Sequence, residues 1–134
     1  MADYYCKSRT NYFKVKKIND FKAELNKYST GEGGMHIWEE KEGLVALGSY
    51  GSLVTLYDED ADDWIEIFEI LQKHMEDGEA VIIAEAGSEK LRYLTTFAWL
   101  VTQDDVRFVD AVNEVITDAM QITGKDASDL LPEY

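Results

Sequence analysis

Seven carboxylates fall within thirteen residues, Tyr57 to Glu69, in the run YDEDADDWIEIFE. Acids packed this densely suit three tasks: holding a hard cation, imitating a phosphate backbone, or stabilising the start of a helix. Counted from Asp58, acids occupy positions 1, 3, 5, 9 and 12 of a calcium loop (Asp58, Asp60, Asp62, Glu66, Glu69), and Ile65 fills the apolar position 8. Position 6, which needs a glycine for its sharp turn, holds Asp63, and the preceding SLVTLY reads as strand or loop rather than an entering helix. No metal is assigned to the run.

As a helix the run makes direct sense. Trp64, Ile65, Ile67, Phe68, Leu71 and Met75, with Ala61, fill one arc of a helix from about Ala61 to Asp77, which Gly78 ends. Asp60 caps it, and Asp62 and Asp63 sit in the first turn, where the helix dipole favours negative charge. Glu66, Glu69 and Glu76 are left over on the opposite arc. Only Glu69 and Lys73 make an attractive pair there, whereas Asp62 and Glu66 repel. A repulsive acidic stripe is what a surface imitating spaced phosphates requires. The expected partner-binding face is therefore Asp58, Glu59, Asp60, Asp62, Glu66, Glu69 and Glu76, presented to the basic cleft of another protein.

Other chemistry has little to work with. His36 and His74 are the only side chains whose ordinary pKa lies near neutrality, and no GxSxG or HExxH run is present. The glycines of GEGGM and GSYGS lack the Lys-Ser/Thr of a phosphate loop. Cys6 is the only cysteine, which excludes an internal disulfide and a thiolate zinc cluster. The chain reads as a non-enzymatic protein without a cofactor.

Charge narrows the partners. The net charge of −14 repels nucleic acid and anionic lipid at long range, so neither free nucleic acid nor membrane is an expected partner unless a local patch reverses the sign. Residues 1–28 carry seven bases against three acids, a net of +4, whereas residues 57–86 carry eleven acids against Lys73 alone, a net of −10. No apolar run reaches membrane-spanning length, and a soluble, cytoplasmic protein is expected.

The elements follow from periodicity. TNYFKVK alternates with Phe13 and Val15 on one side, and INDFKAELNKY offers a short helix capped by Asn19 or Asp20 with Phe21, Leu25 and Tyr28 inward. STGEGG is a turn, MHIWEE and GLVALGSYG form a hairpin, and EAVIIAEA precedes a GSEK turn. LRYLTTFAWLVT and DVRFV are further strands. Asp110 caps a last helix with a stripe of Val112, Val115, Ile116 and Ala119, ended by Gly124. The order β-α-β-β-α-β, then two strands and a helix, predicts an α+β, ferredoxin-like sandwich over residues 1–124, with residues 125–134 as a tail pinned by Leu130 and Leu131.

The strand 91–102 has two apolar faces, one of them carrying Tyr93, Phe97 and Trp99. This face is the candidate packing or homodimer surface. Aromatics on an open sheet beside Tyr12, Lys14 and Lys16 also suit single-stranded RNA, but no RNP1-like run is present and the overall charge opposes it.

SRTNYFKVK near the start and DGEAVIIAEAGSEKLRYLTTFAWLVT in the second half resemble a loose group of small acidic proteins carried by bacterial phages and integrative elements. The likeness covers a minority of the chain and centres on Glu89, Lys90, Arg92 and Tyr93, to which it attaches no function. It implies a mobile-element setting, where small acidic proteins block host defences such as CRISPR nucleases or restriction enzymes. The expected function is an anti-defence inhibitor whose acidic helix face occupies a nucleic-acid-binding cleft. The alternative is a homodimeric structural or regulatory module joined through the aromatic strand.

Overall fold

The computed structural model describes residues 4–30, 34–89 and 93–132. In chain order these form β1 (Tyr4–Thr10), β2 (Phe13–Lys14), α1 (Ile18–Leu25), β3 (Tyr28–Ser29), β4 (Met35–Glu39), β5 (Leu44–Ser49), β6 (Thr55–Asp58), β7 (Asp63–Glu66), α2 (Phe68–His74), β8 (Val81–Glu89), β9 (Tyr93–Val101), β10 (Val106–Asp110) and α3 (Ala111–Thr123). Lys90 and Arg92, at the centre of the resemblance, and Gly31 to Gly33 of the expected STGEGG turn lie outside the described residues.

The protein is α+β. Its main sheet runs β10-β9-β8-β1-β5, with β2 and β4 also paired to β5, and the small sheet runs β3-β6-β7. Every strand pairing among the described residues is antiparallel. Alternation sorts the main sheet into two faces. Val81, Ile83 and Val101 point into the core with Val45 and Leu47, while Ile82, Ala84 and Ala86 point away from it. Phe21 and Leu25 of α1 and Leu71 of α2 join the same buried cluster, so both helices cover the same sheet face. Phe13 meets Phe21 edge to face at 6.0 Å.

The RTNYF segment makes a bulge. Between Arg9↔Gly48 and Phe13↔Val45, four steps along the first strand oppose three on β5, which turns Phe13 into the core although Arg9 faces out. Asn11 fastens the bulge to β8: its side chain donates to the Ala80 carbonyl at 3.0 Å and accepts from the Ile82 N–H at 2.8 Å. Thr10 Oγ1 accepts from the Leu47 N–H at 2.8 Å. Thr10, Asn11 and Phe13 thus have structural duties, and Arg9 and Tyr12 remain on the outer surface.

Several local expectations change. α1 begins at Ile18, with Lys17 in the cap position and no side-chain cap bond, so neither Asn19 nor Asp20 caps it. Gly87, Ser88 and Glu89 of the expected GSEK turn extend β8 instead. Asp110 does cap α3, accepting from the Asn113 N–H at 3.2 Å, and Gly124 ends that helix at φ 72°. In the expected tail, Leu130 is half-buried and Leu131 exposed.

The largest difference is the helix expected from Ala61 to Asp77. Its first half is the strand β7, and only Phe68–His74 is helical. Ile65 and Ile67 are two apart as well as being on the helical arc, so they satisfy a strand period too. Trp64 decides between the periods: the helix needs it inside, and it is 60% exposed.

Candidate functional site

The acidic run folds as a hairpin. β6 and β7 pair through Leu56↔Ile65, Tyr57↔Trp64 and Asp58↔Asp63, and residues 59–62 close the turn. Asp58 Oδ1 accepts the N–H groups of Asp60 at 3.1 Å and Ala61 at 3.2 Å, the cap of a tight turn rather than of a helix. Asp62 adopts φ 51° and accepts from the Tyr57 hydroxyl. That bond pushes the Tyr57 hydroxyl above its ordinary pKa, with burial and the charges of Glu59, Asp58 and Asp63 adding to it. Asp63 accepts from the Trp64 N–H at 2.8 Å. Asp58, Asp62 and Asp63 therefore build the turn.

Glu59, Asp60 and Glu66 have no such duty. Among the described residues no Lys or Arg makes an ion pair with any of the hairpin carboxylates. Trp64 stands among them, its ring 5.0 Å from that of Tyr57.

Beside the hairpin lies a groove of about 700 Å³, whose walls include Glu24, Tyr28, Glu66, Glu69 and Lys73. The expected Glu69–Lys73 attraction is replaced here: Lys73 donates to Glu24 Oε1 at 3.0 Å. His74 Nε2 lies 2.6 Å from the same oxygen, and its ring centre is 5.4 Å from that of Phe21. Burial alone would raise the Glu24 pKa, but the hydrogen bonds and charges of His74 and Lys73 together hold it below the ordinary carboxylate value. His74 thus serves as a structural clamp between α1 and α2.

The seven predicted partner-binding carboxylates do not share a helix face. Asp58, Glu59, Asp60 and Asp62 cluster at the hairpin tip, Glu66 and Glu69 line the groove, and Glu76 lies beyond α2, its N–H bonded to the Lys14 carbonyl at 3.0 Å.

The aromatic strand is also placed differently from a free dimer face. Tyr93 begins β9, while Phe97 and Trp99 are half-buried on the core side. Phe108 of β10 stacks against both, at 5.7 Å from Phe97 and 5.1 Å from Trp99. What is exposed is the next layer: Phe108 on the edge strand at 52%, and Val115 and Ile122 on α3.

A second surface was hidden from sequence reasoning. The outward positions of β4, β5, β1 and β8 include His36, Trp38, Gly48, Lys7, Arg9 and Ala86. The same face continues over β9 and β10 through Thr96, Leu100 and Arg107. In a chain of net charge −14, none of the outward positions in these paired strands is Asp or Glu among the described residues. Trp38 reaches across Gly48, where a Cβ would lie only 2.5 Å from the ring, and the Arg9 guanidinium stacks 4.0 Å from the Trp38 ring centre. Lys7 Nζ is 5.5 Å from the ring centre of Tyr50. The alternation of Lys7 and Arg9 with Cys6, Ser8 and Thr10, and of His36 and Trp38 with Met35 and Ile37, was the available signal.

No family model, curated protein or solved structure matches the chain. Among the described residues, no helix is long and apolar enough to cross a membrane, and no group of three or more His, Cys, Asp or Glu side chains is placed to hold a metal ion.

Proposed function

We propose that this is a non-enzymatic, acidic binding protein of the cytoplasm that docks its β6–β7 hairpin on a basic protein surface, with Trp64 as anchor. The observation that carries the reading is Trp64 itself, 60% exposed amid carboxylates that no Lys or Arg among the described residues neutralises. An indole ringed by charge is the composition of binding hot spots, and the surrounding field steers a basic partner toward it. Glu59, Asp60, Glu66 and Glu69 are the carboxylates left to meet that partner.

In its sharpest form the partner is a host nucleic-acid enzyme, and the protein is a mobile-element anti-defence inhibitor of the anti-CRISPR or anti-restriction type. The RTNYF and EKLRYL resemblance supports that form. We also read the strand order β8-β1-β5-β4, with α1 and α2 on one face, as the expected ferredoxin-like unit, with the hairpin sheet inserted and β9, β10 and α3 appended.

A second reading has its own observation: β10 is an edge strand whose Phe108 is 52% exposed, and Ile122 of α3, the helix that follows it in the chain, is 84% exposed. A second copy covering β10 and α3 would make the homodimeric module.

The test is phage plating on a strain with an active restriction or CRISPR system, expressing the protein or its variants. Plating should rise with the wild type. Trp64→Ala and the pair Glu59→Lys with Asp60→Lys should lose the effect at an unchanged melting temperature, because the altered side chains are exposed. A Trp anchor is worth at least about 2 kcal/mol, roughly a thirtyfold loss of affinity. Variants that inhibit as well as the wild type would sink the hairpin, and a wild type without effect would sink the anti-defence form.

A further inference from the structure

The outer face of the main sheet carries no Asp or Glu at the outward positions of its paired strands among the described residues, although the whole chain has a net charge of −14. Random placement of so many acids would put several there. A face whose outward strand positions lack carboxylates among the described residues, and which carries Lys7 and Arg9, with Arg107 paired to Asp105 at 3.8 Å on its far edge strand, is complementary to an anion. The aromatic side chains narrow the kind of anion.

We propose that this face, centred on Arg9, Trp38 and Tyr50, binds single-stranded nucleic acid. Trp38 is 39% and Tyr50 65% exposed, and His36 lies between them, 5.9 Å and 6.5 Å from their ring centres. Arg9 lies 4.0 Å from the Trp38 ring centre and 5.8 Å from that of Tyr12, and Lys7 faces Tyr50. Rings that accept stacked bases, interleaved with cations that accept the backbone, are the two components of a sequence-tolerant single-strand platform. A carboxylate-rich peptide would use the cations and have no use for the rings.

A depression of about 410 Å³ is lined by Lys7, Arg9, His36, Trp38 and Tyr50 together with Gly48. The absence of a side chain at Gly48 lets Trp38 lie across β5 toward Arg9. Duplex is excluded from this mode because its bases are already stacked on one another.

The acidic remainder of the molecule sets the strength. Two or three cations on the face release few counterions, so the logarithm of affinity should fall with the logarithm of salt at a slope of about −1 to −2. Binding is therefore short-ranged, and it does not depend on the Trp64 anchor of the hairpin.

The experiment is fluorescence anisotropy of labelled single-stranded dT and rU oligonucleotides of about twelve nucleotides with the full chain at about 50 mM salt, against the matching duplexes and a poly-glutamate peptide. Single strands should bind and duplex should not. Trp38→Ala should weaken binding about 5- to 150-fold, Arg9→Gln should weaken it and flatten the salt slope, and Trp38→Phe should restore part of the loss. Circular dichroism and melting curves establish that each variant is folded, and Trp64→Ala should bind as the wild type does.

No single-strand binding overturns the proposal, as does binding that survives Trp38→Ala and Arg9→Gln together. Capture of poly-glutamate with the same dependence on Trp38 also overturns it, because the face would then be a dock for acidic protein. Failure of Trp38→Ala as an oligonucleotide binder leaves the hairpin reading untouched, since that reading depends on Trp64.

Discussion

Replacing Glu24 by Gln removes one negative charge from a site where His74 and Lys73 share a single carboxylate oxygen. The Glu24 side chain is 17% exposed and that of His74 10%, so their contact is shielded, whereas Lys73 at 67% is largely solvated. Hydrogen bonds to a charged group contribute about 1.5–3 kcal/mol, an exposed partner contributes under about 1 kcal/mol, and Gln retains a neutral bond, which leaves an expected loss of about 1–2 kcal/mol at pH 7. In a domain of this size that lowers the melting temperature by about 3–10 °C.

The pH dependence has a definite sign. Glu24 in the folded protein is held below its ordinary value of 4.5, so its contribution is complete above that pH and is lost as pH falls through the depressed folded value. Urea unfolding of the wild type and Glu24→Gln across the acid range should show a gap that is full at neutrality and closes below about pH 4.5. A gap of the same size at both ends, or none at pH 7, would refute the clamp. A double-mutant cycle with His74→Phe, which keeps the stack on Phe21, should assign most of the gap to the His74 contact.

Two further outcomes follow from packing and from the exposed edge. Gly87→Ala would place a Cβ 2.2 Å from the Tyr5 carbonyl oxygen and 2.6 Å from Cys6 Cβ. The β1–β8 ladder would have to open, at a cost of about 1–3 kcal/mol or more, read by denaturant midpoint, and an unchanged midpoint would show that the strands separate freely there. Phe108→Glu should convert any homodimer to monomer in sedimentation, and a mass unaffected by that change would remove β10 from the dimer reading.

The strands were legible wherever alternation was unopposed. Phe13 and Val15, assigned inward from TNYFKVK, are both buried, and β8, β9 and β10 fall where their apolar runs predict them. The acidic run was misread because the same residues signal two structures. An Asp before an apolar period can cap a helix or, as Asp58 does, close a tight turn, and Ile65 and Ile67 fit both periods. The RTNYF bulge was invisible because Asn11 acts on residues about seventy positions away, Ala80 and Ile82. For the same reason the Arg9–Trp38 stack could not be read: β4, β5 and β1 must first be placed side by side.

The two proposed surfaces make opposite electrostatic demands, which governs how they can be separated. The hairpin lies beside α1 and α2 on the helix side of the main sheet, and Arg9 and Trp38 lie on the other side. Reversing charge at Glu59 and Asp60 removes part of the field that attracts a basic protein and also part of the repulsion felt by any polyanion, so it should strengthen oligonucleotide binding at low salt while abolishing capture of a basic partner. Charge reversal therefore confounds the two surfaces, and salt does so as well, since both interactions weaken as it rises. The neutral substitutions Trp64→Ala and Trp38→Ala leave the long-range field unchanged and remove one anchor each. If the surfaces are independent, each variant loses one partner and keeps the other, and their effects on the two affinities combine additively.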